Sequence, residues 1–71
     1  MTDVKTIAER RGIKITRAKE GSDIFECWAD RVVEADAYLS LLDDQPERSP
    51  ARRAYTEKAM AAKIEAERYA I

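Results

Sequence analysis

The stretch SDIFECWADRVVEADAYLSLLDD, Ser22 to Asp44, decides the fold, because it can be read either as a strand running into a helix or as one long helix. A half-buried strand requires alternation of apolar and polar side chains, and the adjacent apolar pairs Ile24–Phe25, Cys27–Trp28, Val32–Val33 and Leu41–Leu42 break it. Trp28, Val32, Ala35, Leu39 and Leu42 instead recur at spacings of four, three, four and three, with Ile24 one turn earlier. That is the stripe of a helix whose one face packs on a neighbour. The spacing predicts a helix over 23–43, with Ser22 as its cap and acidic residues in the first turn, where the helix dipole favours them.

Working outward toward the C-terminus, Pro46 and Pro50 bracket the run PERSP, which reads as a turn. Ser49 before Pro50 is a helix start: the hydroxyl caps free N–H groups, and proline at the first helical position sacrifices no hydrogen bond. The segment that follows is rich in alanine, arginine, glutamate and lysine, which lose little side-chain freedom in a helix. A second long helix is expected over about 50–70. Its seam is Tyr55, Ala59, Ala62, Ala66 and Tyr69, again at four, three, four and three.

The two seams pair in antiparallel order, Leu42 with Tyr55, Leu39 with Ala59, Ala35 with Ala62, Val32 with Ala66 and Trp28 with Tyr69. This register centres the connection on Arg48 and Ser49, where the prolines independently place it. Mostly large side chains then face mostly small ones, which lets the two axes approach closely. The predicted fold is therefore mainly α: an antiparallel hairpin of two long helices, about 23–43 and 50–70, covered by a short N-terminal helix or a small β element. The whole chain, 1–71, reads as a single small domain with a basic segment over 1–21 and the hairpin over 22–71.

The cover is the open question at this level. Asp3 can cap a short helix in which Val4, Ile7 and Ala8 share a face, with Gly12 ending it. The alternative pairs IKITRAK with DIFECWA through a turn at Glu20–Gly21–Ser22, making a β-hairpin over 13–29 and starting the second helix only near Asp30. Met60, Ile64 and Ile71 form a further apolar line off the seam, which either the N-terminal segment or a second copy of the chain would cover. A homodimer is one expectation, since a 71-residue chain buries a small fraction of its surface.

Composition narrows function more by exclusion than by motif. There is no histidine, the commonest general base and metal ligand, and two glycines form no phosphate-cradling loop. One cysteine, Cys27, can build neither an intramolecular disulfide nor a zinc site, and its ordinary role is a small, partly buried side chain beside the seam. Asp23 and Glu26 could hold magnesium only with carboxylates from another helix, and the last helix offers no matching inward pair. No apolar run is long enough to span a bilayer. The expectation is a cytoplasmic, non-enzymatic protein that needs no cofactor and no metal.

The net charge of −1 hides a segregation. Residues 1–20 balance to +3, residues 21–45 to −6 and residues 46–71 to +2. At about 100° per residue, Asp23, Glu26, Asp30 and Glu34 fall within an arc of about 80°, and Asp44 returns to it beyond a gap at Ala37 and Leu41. These five residues are the candidate partner-binding face, complementary to a basic site on a larger protein or nucleoprotein assembly. The competing expectation is a solvated face partly neutralised by the basic N-terminal segment folding over it. Arg10, Arg11, Lys14, Arg17 and Lys19 are the candidate nucleic-acid contacts of a second reading. In it TIAERRGI forms the middle of a helix-turn-helix unit and KITRAKE its recognition helix. A purely structural homodimeric hairpin is the third. In size and surface style, though in no shared motif, the chain resembles phage-encoded inhibitors of bacterial defence systems such as anti-CRISPR proteins.

Overall fold

The computed structural model describes residues 3–46 and 48–70, so Glu47 of the turn and Ile71 of the outer apolar line lie outside the described residues. Among the described residues three helices follow in order: α1 Val4–Arg11, α2 Asp23–Asp43 and α3 Pro50–Tyr69. No strand occurs among the described residues. The shape is elongated, 41 × 24 × 16 Å, as two helices of about twenty residues lying side by side require.

Each helix begins where a side chain can accept the free N–H groups. Ser22 Oγ accepts from Phe25 N at 3.2 Å and Ser49 Oγ from Ala51 N at 3.3 Å, with Pro50 opening α3. Asp3 accepts from Lys5 N at 3.4 Å. At the far end of α1, Gly12 takes a left-handed conformation with φ 70°. Its N–H bonds Glu9 O at 3.2 Å while Ile13 N–H bonds Ala8 O at 2.8 Å. This pair of bonds closes the helix and drops Ile13 into the core beside Ala8.

α2 and α3 pack along their length. The seam carries Trp28, Val32, Ala35 and Leu42 from α2 and Ala59, Ala62 and Ala66 from α3, all buried. Cross-helix contacts fix the register: Arg31 Nη1 to Glu65 Oε2 at 3.5 Å, Lys58 Nζ 5.8 Å from the Tyr38 ring, and Tyr38 against Tyr55 at 6.1 Å. The hairpin closes with Arg52 Nη1 donating to Leu42 O and Gln45 O, at 3.4 and 3.3 Å; Leu42 O also accepts from Gln45 N at 3.1 Å, so the guanidinium adds a second donor at the end of α2.

One end of the seam departs from the sequence expectation. Tyr69 is exposed at 37%, and Ala70, just past the helix, is buried instead. Trp28 is the bulkiest buried side chain, so the chain opposite it must present something small. A straight helix also drifts against a strict seven-residue repeat, and the step from Ala66 to Ala70 follows that drift.

The β-hairpin over 13–29 does not form. Residues 12–22 run as an irregular segment, and α2 begins at Asp23. The backbone groups that a ladder needs are engaged by side chains: Thr16 Oγ1 accepts from Ala18 N at 3.1 Å, and Trp28 Nε1 donates to Lys14 O at 3.0 Å. Thr16 Oγ1 also donates to Tyr69 O at 2.7 Å, tying this segment to the end of α3. Ile13 and Thr16 are buried, with Phe25 stacked at a tilt on Trp28 at 5.5 Å. α1 packs on α2 and not on α3 among the described residues. Met60 and Ile64 remain 52% and 51% exposed, so the N-terminal segment does not cover them.

Candidate functional site

The acidic face is set by the same turn of α2 that sets the core. With Trp28, Val32, Ala35 and Leu42 facing α3, positions half a turn away must face solvent. Asp23, Glu26 and Asp30 are exposed there, and none of them forms an ion pair among the described residues. Glu34 is half-buried and accepts from Arg31 at 3.0 Å, so it is the least available of the four. Asp44 caps the end of α2 and is exposed. Val33 and Leu41 bring exposed apolar surface beside this face, at 52% and 42%.

The basic N-terminal segment does not fold over these carboxylates. Arg11 Nε donates to Asp36 Oδ1 at 2.7 Å and Arg11 Nη2 to Ser40 Oγ at 3.2 Å, which pins α1 to a flank of α2 roughly 80–120° of helix rotation from Asp30. Lys5 pairs with Glu20 at 3.2 Å. The charge segregation of the sequence therefore survives folding: the acidic residues of 23–30 stay unneutralised by the segment that carries the compensating charge.

Of the candidate nucleic-acid contacts, Arg10, Lys14, Arg17 and Lys19 are exposed, while Arg11 is engaged with Asp36. No helix forms over 14–20, so the recognition helix of a helix-turn-helix unit is absent. Ile15 and Thr16 are β-branched and resist helix, and Thr16 spends its hydroxyl on local and tertiary bonds. Cys27, expected to be partly buried, is exposed on α2. It falls one position short of Trp28, and about 100° of rotation carries it off the seam.

No group of three or more histidine, cysteine, aspartate or glutamate side chains among the described residues is arranged to hold a metal ion. A depression at the hairpin turn is lined by Arg48, Arg52, Arg53, Ser49, Pro50, Thr56 and Glu57. Its polar groups are largely spent on the fold: Arg52 on the carbonyls of α2, Arg53 on Glu57 at 3.7 Å, and Ser49 on the cap of α3. No described helix is long and apolar enough to cross a membrane. No family model, curated protein or solved structure matches the chain.

Proposed function

We propose that this chain is a non-enzymatic protein-binding module that docks the acidic face of α2 on a basic site of a larger assembly, blocking or bridging it. The observation that carries this reading is the set Asp23, Glu26 and Asp30, exposed on one helix and without an ion-pair partner among the described residues. Like charges at these spacings repel by about 0.2–0.5 kcal/mol per pair, and a basic partner relieves that repulsion on binding. The helix holds the carboxylates in a fixed row, so little ordering cost is added at the interface. Glu34 and Asp44 extend the row toward the C-terminal end of α2, and Val33 and Leu41 supply apolar contact beside it. A cytoplasmic inhibitor of the phage anti-defence kind, without cofactor or metal, is one setting that fits such a mechanism.

The test is capture of partners by the tagged protein at low and moderate salt, with and without nuclease, using Asp30→Lys with Glu34→Lys as the comparison. The expected result is a stoichiometric protein that survives nuclease, weakens with salt and is lost with the charge reversals, while far-UV circular dichroism shows the helices intact. A partner retained by the reversed variant would rule out the acidic face. Recovery of nucleic acid alone, lost on changing Arg10 or Lys14 to alanine, would transfer function to the exposed basic side chains of the N-terminal segment.

A further inference from the structure

The hairpin has two flanks, and they are finished differently. Around α2, at about 100° per residue, Asp36 and Ser40 lie on one side of the buried stripe and Arg31 and Tyr38 on the other. The first flank receives Arg11 of α1, and Phe25 on that side is partly buried against the core. On the second flank Ile24 is 50% exposed. All three tyrosines of the chain, Tyr38, Tyr55 and Tyr69, lie along this uncovered flank, none of them buried. Tyrosine on a rigid element is the side chain most suited to an interface, because it offers large contact area at small entropic cost.

We propose that this tyrosine flank is the docking surface for a second copy of the chain, arranged end for end about a two-fold axis. Charge pattern and area both select that occupant. Along the flank, Ile24, Arg31, Tyr38 and Gln45 of α2 and Ala51, Lys58 and Glu65 of α3 each recur every seven residues. An end-for-end two-fold sets the Arg31 layer against the Tyr38 layer of the second copy, and Glu65 against its Lys58. A cation then meets an aromatic face and a carboxylate meets an ammonium, each twice. Within one chain Arg31 pairs with Glu34 and Glu65, at 3.0 and 3.5 Å, and Lys58 lies 5.8 Å from the Tyr38 ring, so two cations balance two carboxylates and the flank carries no strong net charge to draw a highly charged partner.

The area is at the lower end of what a stable interface buries. Two adjoining helices, each roughly 30 Å long and 10 Å wide, give a flank on the order of 600 Å² in projection, comparable to the roughly 800 Å² per partner of a stable interface. The need for support is visible in the core, where six of the ten buried apolar side chains among the described residues are alanine. Asp23, Glu26 and Asp30 lie off this flank, so the dimer would present two acidic faces at once, and the inference stands whether or not those faces bind a partner.

Sedimentation velocity on the full chain over about 1–500 µM tests it, since a self-association of moderate strength resolves in that range. The expected result is a monomer–dimer equilibrium that Ile24→Arg and Lys58→Glu each weaken by about tenfold or more. Met60→Arg, on the outer line, is expected to leave it unchanged. Both altered flank residues are exposed, and circular dichroism verifies that each variant is folded. A wild-type monomer at the highest concentration overturns the proposal. So does a dimer that Met60→Arg disrupts while Ile24→Arg and Lys58→Glu leave it intact.

Discussion

Replacing Ala62 by leucine probes the register of the hairpin at its tightest point. Ala62 is 3% exposed and belongs to the same buried cluster as Ala35, which is fully buried on the opposing helix. Leucine adds three carbons where two small residues set the approach of the axes. In open space those carbons would gain about 0.8 kcal/mol each on burial, but a packed seam has no volume for them. The expected cost is about 1–3 kcal/mol from forced rotamers and separation of the helices. A chain of this length has about 4–10 kcal/mol of total stability, so the loss is a large share of it. The midpoint of thermal unfolding should fall by about 4–8 °C for each kcal/mol lost. The matched control is Ala61→Leu, one residue away and exposed, which should change stability by less than about 0.5 kcal/mol. Both are read by far-UV circular dichroism during urea and thermal unfolding, at one fixed protein concentration because self-association would couple to the midpoint. Equal effects at 61 and 62, or a neutral Ala62→Leu, would refute the packing argument.

Trp28→Phe removes the donor that bonds Lys14 O at 3.0 Å and leaves a gap beneath Phe25, so stability should drop by about 2 kcal/mol in urea unfolding. Hydrogen exchange should show residues 13–18 opening more readily than the helical hairpin in this variant, since the indole N–H is one of few bonds that hold them. Gly12→Ala should cost about 1 kcal/mol, because the left-handed φ of 70° strains any side chain while a Cβ there would meet nothing within 4 Å. A loss well above that value would mean that Gly12 has a packing role the backbone conformation does not account for.

The sequence by itself determined the two long helices and the close packing of one on the other. Ser22, Ser49, Pro46 and Pro50 act within a few residues of themselves, and the four-three spacing of Trp28, Val32, Ala35 and Leu42 needs only the period of a helix to place those residues on one face. The outward position of Asp23, Glu26 and Asp30 follows from the same period. What only the tertiary structure decided are the features that depend on distant volume and on competing partners. The bulk of Trp28 decided that Ala70 rather than Tyr69 would close the seam, and its indole N–H, with Thr16, decided that residues 13–18 would follow an irregular path rather than a strand. Asp36 and Ser40, unremarked in the sequence, captured Arg11 and so withdrew a basic residue from solvent while leaving the acidic face open. Periodicity is a property of neighbouring residues and survives in any one helix. Which of several equivalent hydrogen-bond partners or cavities a side chain takes is fixed only when the other helices arrive.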